Sequence, residues 1–180
     1  MSTTTAPLTA DEFLKLPDIE EQRVELIDGE VVDMPSGGPN HERAKANLNA
    51  ILGRWLDQRR AGLVFNESAY RLDDHIVLVP DLSVLNSERL KRGGTDLLRG
   101  APDLAVEVVS SETADRLHDK IRLYFKHGSK GVWSVFLGSR TIQINHSNGH
   151  IDTLEQDQIL EDPDALPGFS TPVSAIFEGL

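Results

Sequence analysis

The chain of 180 residues contains no cysteine, so it has no disulfide, no thiolate zinc site and no cysteine nucleophile. It also lacks an apolar run close to the roughly 20 residues that a membrane-spanning helix requires. Its first residues lack the basic stretch and apolar run of a secretory signal peptide. We therefore expect a cytoplasmic protein without membrane contact.

Basic residues are scarce as well. The chain has 18 Lys and Arg against 29 Asp and Glu, a net charge of -11. Such a chain is not expected to coat nucleic acid, because phosphate binding is largely electrostatic. The charge is uneven, however: residues 1–33 hold nine acids and two bases, whereas residues 86–130 hold nine bases and seven acids. A surface for a polyanion is expected only in that middle part.

Hydrophobic residues make up 39% of the chain and charged residues 26%, a balance typical of globular proteins. The length fits a single domain over residues 1–180. Near the start, Thr9 and Glu12 have the spacing of a capping box, which predicts a short helix to about Leu16. Asp28-Gly29 between two apolar runs is typical of a type I′ turn and predicts an N-terminal β-hairpin.

Apolar residues at helical spacing predict two longer helices. One runs from about His41 to Arg60 and is ended by Gly62, and the other runs from about Glu112 to His127 and is ended by Gly128. The first helix presents one apolar stripe, formed by Ala44, Leu48, Ile51, Leu52, Trp55 and Leu56.

Strand-like runs occupy residues 64–72, 76–85, 104–109 and 131–137, and a terminal hairpin joins Thr141–Ile144 to the residues after Asn148-Gly149. Residues 86–100 are expected to form a loop or a short helix, and Leu166–Phe169 is expected to pack on the edge of the sheet. This mixture of elements predicts an α/β (α+β) fold, a sheet with helices on its faces.

Glu107 stands inside the nearly continuous apolar run Leu104–Val109, which is typical of a strand buried on both faces. A carboxylate there needs a raised pKa, a salt bridge or a metal ion. Asp81 follows a proline inside another strand-like run, and proline in a strand indicates a bulge or an edge. The simpler alternatives are a solvated or salt-bridged residue at the edge of the sheet for Glu107 and an ordinary Pro-Asp turn for Asp81.

Together, two carboxylates on adjacent strands provide hard oxygen ligands suited to Mg²⁺ or Mn²⁺. Lys120 lies on the following helix, one turn from Leu117 and one from Tyr124, so it could lean over the acids and stabilise charge on a phosphate. The alternative for Lys120 is a solvated lysine that covers an apolar face.

These residues resemble the Uma-type putative restriction-endonuclease family, which is similar to the PD-(D/E)xK nuclease superfamily. The resemblance rests on five segments and covers about residues 10–178. They are Arg23–Glu30, Pro39-Asn40-His41, Pro80-Asp81, Ala101–Ser110 and Lys120 before Leu123-Tyr124, and the closing Leu166-Pro167-Gly168-Phe169 fits as well.

The resemblance implies a restriction-endonuclease-like fold with a mixed central sheet and terminal hairpins. It implies Asp81 and Glu107 as metal ligands, joined by the backbone carbonyl of Val108, with Glu25 and His41 near the site. The superfamily lysine normally stands two residues after the acid, where this chain has Val109. The resemblance therefore implies that Lys120 takes over that role.

Glu25 and His41 also have simpler interpretations. Glu25 alternates with Val24 and Leu26, so it faces away from their layer and could be a solvated strand acid. His41 opens a helix and could serve only in the cap region, or it could transfer a proton near neutral pH.

Other charged residues give weaker indications. The basic cluster Arg89, Lys91, Arg92 and Arg99 could follow a phosphate backbone or be ordinary surface. The remaining histidines, His118, His127, His146 and His150, show no paired spacing that would indicate zinc.

We therefore expect a Mg²⁺- or Mn²⁺-dependent endonuclease acting on DNA, with a homodimer as one way to cut both strands. Two alternatives stay open. A catalytically weak or inactive module on the nuclease scaffold would fit the acidic charge and Val109. A metal-dependent hydrolase of small nucleotides would tolerate the acidic surface better than a DNA-cleaving enzyme.

Overall fold

A six-stranded mixed sheet forms the centre of the computed structural model, which describes residues 6–17, 24–34, 37–94, 98–109 and 114–180. The helices are α1 (Ala10–Phe13), α2 (Pro39–Arg59), α3 (Ser87–Leu90) and α4 (Ala114–Lys126), and a 3-10 helix covers Val173–Phe177. None of the helices within these ranges is both long and apolar enough to cross a membrane.

The first six strands are β1 (Val24–Ile27), β2 (Glu30–Asp33), β3 (Gly62–Asn66), β4 (Tyr70–Asp73), β5 (Ile76–Leu78) and β6 (Leu82–Asn86). The second six are β7 (Leu104–Val109), β8 (Gly131–Phe136), β9 (Thr141–Asn145), β10 (Ile151–Leu154), β11 (Ile159–Leu160) and β12 (Thr171–Pro172).

The central sheet has the strand order β10-β9-β8-β7-β6-β3. β7 and β8 are parallel and are joined through α4, whereas their neighbours pair antiparallel. A second sheet has the order β2-β1-β5-β4, and β11 pairs with β12. The predicted mixed α/β architecture is confirmed, as are the hairpins at both ends of the chain.

The two predicted strands over residues 64–72 and 76–85 are wrong in one respect: each is split between the two sheets. The chain leaves the central sheet after β3 and returns to it at β6. Glu67, with a φ of 45°, has a left-handed conformation that ends the first extended run. Pro80 ends the second, because proline has no N–H to donate to a sheet ladder.

Alternation along β7 places its side chains in two separate cores. Leu104, Val106 and Val108 pack with the apolar stripe of α2, whereas Ala105 packs with Tyr124 of α4. The sheet therefore has helices on both faces, and odd-numbered residues of β7 face α4. Glu107 is one of these odd-numbered residues.

Helix boundaries differ modestly from the sequence-based expectation. α1 carries the predicted capping box but ends at Phe13 rather than Leu16. α2 begins at Pro39, because proline is well suited to the first helical position, and its C-cap is Arg60 with a φ of 51°; Gly62 instead begins β3. The predicted start of α4 at Glu112 lies outside the described residues.

Two smaller predictions can be compared directly. Asp28 and Gly29 have φ values of 51° and 80°, as a type I′ turn requires. Phe169 was expected to pack on the edge of the sheet. It instead enters the core on the α2 side of the sheet. Its ring centroid lies 5.6 Å from that of Trp55 and 5.7 Å from that of Trp133.

Candidate active site

Asp81 lies where the chain passes from the second sheet into the central one. β6 and β7 are antiparallel with Leu82 opposite Val106, so continuing this register by one residue sets Asp81 beside Glu107. The backbone N–H of Val108 donates a hydrogen bond of 2.7 Å to Oδ2 of Asp81. The two acids predicted from the sequence therefore lie at the same end of two neighbouring strands.

Glu107 is buried, with 3% of its surface exposed. The hydroxyl of Tyr124 donates to its Oε1 at 2.7 Å, and Nζ of Lys120 lies 2.9 Å from the same oxygen. Both partners come from α4, one turn apart, on the helix face that packs against the sheet. Of the two simpler interpretations of Glu107, solvation is wrong, whereas the salt bridge is confirmed by Lys120.

Lys120 also contacts a second carboxylate. Its Nζ lies 3.0 Å from Oε1 of Glu25, which in addition accepts a hydrogen bond of 2.8 Å from the backbone N–H of Val79. Lys120 is 2% exposed and Glu25 is fully buried. The solvated alternatives for both residues are wrong, because α4 covers the side of β1 toward which period-two alternation directs Glu25.

His41 is the third residue of α2, and the N-cap of that helix is Gly38. Nε2 of His41 lies 3.2 Å from Oδ1 of Asp81, and its Nδ1 lies 3.2 Å from Oε1 of Glu42. The histidine is 3% exposed. It therefore contacts Oδ1 of Asp81, rather than serving as a cap.

The pKa values of Glu107 and Asp81 are shifted in opposite directions. Burial raises the pKa of Glu107 to about 8, opposed by the charge of Lys120 and reinforced by the charges of Asp81 and Glu25. Burial would also raise the pKa of Asp81, but hydrogen bonds from His41 and the Val108 amide, together with the charge of Lys120, outweigh it and lower that pKa. The hydrogen bond to Asp81 in turn raises the pKa of His41.

The buried side chains described above form one cluster, made up of Asp81, Glu107, Glu25, Lys120 and His41. Its carboxylate oxygens are the kind of ligand that a hard divalent cation prefers. Burial, reinforced by the charge of Asp81, disfavours the charged form of Glu107, and a cation between the two carboxyl groups would favour that form. Oε2 of Glu25 is buried and has no hydrogen-bond partner among the described residues. Within the same residues no group of three or more His, Asp or Glu is arranged to hold a metal. A cation here would therefore keep several waters, as Mg²⁺ usually does.

Sequence reasoning missed two residues that contact the cluster, both on α4. It named Tyr124 only as a neighbour of Lys120 in the chain and gave it no role at the site, although its hydroxyl donates a hydrogen bond to Glu107. Arg116 lies with its guanidinium 3.8 Å from Oε2 of Glu25. The signal was present in the spacing, since Arg116, Lys120 and Tyr124 recur every four residues on one helix face.

The histidines with no assigned role include one pair that the structure brings together. His146 and His150 lie on the terminal hairpin, with Nε2 atoms 2.9 Å and 3.0 Å from the two carboxylate oxygens of Asp152. The prediction for these histidines was that they show no paired spacing that would indicate zinc, and it considered linear spacing alone. These residues lie far from the cluster in the sheet, because β9 and β10 are separated from β7 by β8.

Solved structures provide the comparison for the fold. A crystal structure from Anabaena variabilis, described as a putative nuclease belonging to DUF820, matches 95% of this chain and 98% of its own. The TM-score is 0.84 and the sequence identity is 23%. This likeness establishes that the two chains share a fold.

Among curated proteins, an uncharacterized protein of Synechocystis sp. (sll1609) is 25% identical over 112 residues, 62% of this chain. The match spans 63% of the length of that relative. The family model described as "Putative restriction endonuclease", Uma2, matches residues 10–174, and with them every element from α1 to the start of the final 3-10 helix. The chain belongs to this Uma2 family, whose description supports a nuclease-like function.

Proposed function

We propose that this protein is a metal-dependent endonuclease that hydrolyses DNA phosphodiester bonds at the cluster of Asp81, Glu107 and Lys120. One observation carries the proposal. In a chain of a nuclease family, two buried acids and a buried lysine meet at one end of the central sheet. Buried ionisable groups of this kind are uncommon unless they are paired or used in chemistry.

Asp81 and Glu107 would hold Mg²⁺ or Mn²⁺, and the backbone carbonyl of Val108 remains the predicted third ligand. The cation would supply Lewis-acid activation of water and neutralise charge on the phosphate. Lys120 would stabilise the negative charge that develops on the phosphate, from a position fixed by Glu25 and Glu107.

His41 and Tyr124 would act through the two acids. His41 holds Oδ1 of Asp81 while the Val108 amide holds Oδ2, so the orientation of this carboxylate is set from both sides. Tyr124 holds Oε1 of Glu107. Partners of this kind orient ligand groups and typically change metal affinity or activity about 10- to 100-fold.

The test is cleavage of supercoiled plasmid, linear duplex, single-stranded oligonucleotide and mononucleotide with Mg²⁺, with Mn²⁺ and with EDTA. We expect DNA cleavage with either cation and none in EDTA, and Asp81→Asn should match the EDTA level. Asp164→Asn, at an exposed aspartate outside the cluster, is the matched control. Cleavage that Asp81→Asn leaves unchanged would contradict the proposal.

The alternative is a nuclease scaffold that binds without cleaving. The net charge of -11 and Val109 at the usual lysine position favour it. It predicts that the cation stabilises the protein through Asp81 while every DNA substrate stays intact. Hydrolysis of mononucleotides alone would instead indicate an enzyme of small nucleotides. A homodimer and a cytoplasmic location stay predictions, which sedimentation and fractionation test.

A further inference from the structure

A second recess lies at the opposite end of β6 and β7 from the candidate active site. Its volume is about 300 Å³, and it is bounded by Asn86, Asp103 and three arginines, Arg89, Arg92 and Arg99. Asp81 precedes β6 and Asn86 ends it, so the two sites are roughly 17 Å apart along the strand at the usual rise per residue. The recess is therefore a separate feature of the fold.

Arg89 gives the recess a fixed wall. Its guanidinium donates hydrogen bonds to the carbonyl oxygens of Arg99, Gly100 and Ala101, and it lies 5.9 Å from the ring centroid of the buried Tyr70. The loop that carries Arg99 is thus tied to the helix that carries Arg89. The backbone at Arg99 is therefore held in place by hydrogen bonds from Arg89.

The two carboxylates that line the recess, Asp103 and Glu88, already have hydrogen-bond or ion-pair partners. Asp103 accepts hydrogen bonds from the backbone N–H and the side-chain amide of Asn86, and it lies 3.2 Å from Nζ of Lys130. Glu88 pairs with Lys91. Burial, and after it the charge of Arg92, lowers the pKa of Arg89 despite the opposing charge of Asp103. Among the described residues that line the recess, three arginines face two carboxylates, so positive charge is in excess there in a chain whose net charge is -11.

A polar atom without a partner lies in the same wall. His127 follows α4, and its Nε2 is buried without a hydrogen-bond partner among the described residues. Buried polar atoms normally have partners, so an unsatisfied one indicates a missing ligand or water. A ligand that fills the recess could satisfy it after a small rotation of the ring.

We propose that this recess binds a phosphate group, carried either by a nucleic-acid backbone or by a free nucleotide. Planar guanidinium groups suit phosphate because two N–H donors can meet two oxygens at once. Binding here requires no metal ion, since the arginines supply the charge. The proposal therefore stands apart from cleavage at Asp81 and Glu107, and it holds even if the protein cuts no DNA.

The test compares two double variants that remove the same charge. Arg92→Ala/Arg99→Ala removes the exposed arginines of the recess but leaves Arg89 to brace the loop. Arg43→Ala/Arg54→Ala removes two exposed arginines of α2 as the control. Binding of a labelled duplex without terminal phosphate is measured in EDTA by fluorescence anisotropy over a range of salt concentrations. Calorimetry with pyrophosphate and with a nucleoside diphosphate gives the second arm.

If the phosphate is that of a nucleic acid, the recess variant binds duplex about tenfold more weakly. The slope of the logarithm of its binding constant against the logarithm of salt concentration also becomes shallower, by about one unit per lost phosphate contact. If it is that of a free nucleotide, calorimetric binding of the diphosphate disappears in the recess variant and duplex binding stays the same. Both results require that the control variant behaves like wild type. Equal weakening by the two variants, or no saturable binding of duplex, pyrophosphate or diphosphate by wild type, would overturn the proposal.

Discussion

Nζ of Lys120 lies 2.9 Å from Oε1 of Glu107, although one residue belongs to α4 and the other to β7. α4 follows β7 in the chain and packs over the face toward which Glu107 points. The helix thereby brings an ammonium group to the acid without a lysine at position 109 of the strand. A positive charge can thus lie beside Glu107 even though residue 109, two positions later in the strand, is a valine.

Replacing Lys120 by methionine should destabilise the protein, because Glu25 and Glu107 would stay buried without the ammonium group that pairs with both of them. Breaking a buried ion pair in this way costs about 3 kcal/mol of unfolding free energy. Urea denaturation near pH 8 measures it, with Lys126→Met, an exposed lysine of the same helix, as the control. Lys120→Met/Glu107→Gln should recover part of the loss. Equal stability of the Lys120 and Lys126 variants would refute the pairing.

Stability without metal should fall as pH rises through the neutral range. The pKa of Glu107 is about 8 in the folded protein and near the ordinary 4.5 in the unfolded chain, so the folded state binds more protons between these values. The contribution of Glu107 is fully present below about pH 4.5 and is lost by about pH 8, with a slope of at most about 1.4 kcal/mol per pH unit. Urea unfolding in EDTA at several pH values measures this slope.

Glu107→Gln isolates the contribution of this one group from the other titrating residues. The variant should lose the downward slope relative to wild type, since glutamine does not ionise. Saturating Mn²⁺ should flatten the wild-type curve, because a cation favours the charged carboxylate. Parallel curves for wild type and Glu107→Gln in EDTA would show that burial does not raise this pKa.

Tyr124→Phe should weaken metal binding while leaving the fold intact. It removes the hydroxyl that holds Oε1 of Glu107, and the loss of such an orienting partner costs about tenfold in metal affinity. Tyr70→Phe is a matched control, since that hydroxyl bonds only Ser83 among the described residues of the same core. The readout is the Mn²⁺ concentration that gives half-maximal stabilisation. A role for Tyr124 in packing alone predicts equal midpoints for the two variants.

Gly37→Ala should reproduce the effect of His41→Ala. A Cβ on Gly37 would lie 2.3 Å from Nδ1 and 2.4 Å from Cγ of His41, so either the imidazole or the backbone at Gly37 would have to shift, and we expect the imidazole to leave Asp81. The neighbouring Gly38 has open space at that position, which makes Gly38→Ala the control. We expect metal-dependent cleavage to fall to the His41→Ala level in the first variant and to change little in the second. Wild-type cleavage by both Gly37→Ala and His41→Ala would exclude an orienting role for His41.

The sequence predicts local features where local chemistry decides them. The capping box at Thr9, the positive φ angles of Asp28-Gly29 and the buried strand around Glu107 all follow from neighbouring residues. These three predictions needed no knowledge of which strands pair. The convergence of Asp81 with Glu107 did need it: the prediction assumed that their strands are adjacent, and it was supported by the family resemblance.

The failures arise where tertiary placement decides. Residues 64–72 and 76–85 have strand-like composition throughout, but composition does not reveal that each run crosses between two sheets. Whether Glu25 is solvated depends on α4, which lies about 90 residues later in the chain. Tyr124 resembled an ordinary apolar residue, since its hydroxyl acts only once Glu107 lies beside it.

Direct titration of Mn²⁺ by calorimetry tests the central claim, that Asp81 and Glu107 share one divalent cation. We predict a single saturable site in the wild-type protein that is lost in both Asp81→Asn and Glu107→Gln and kept in Asp164→Asn. Wild-type protein that binds no Mn²⁺, or Mn²⁺ binding that survives in both cluster variants, would contradict it.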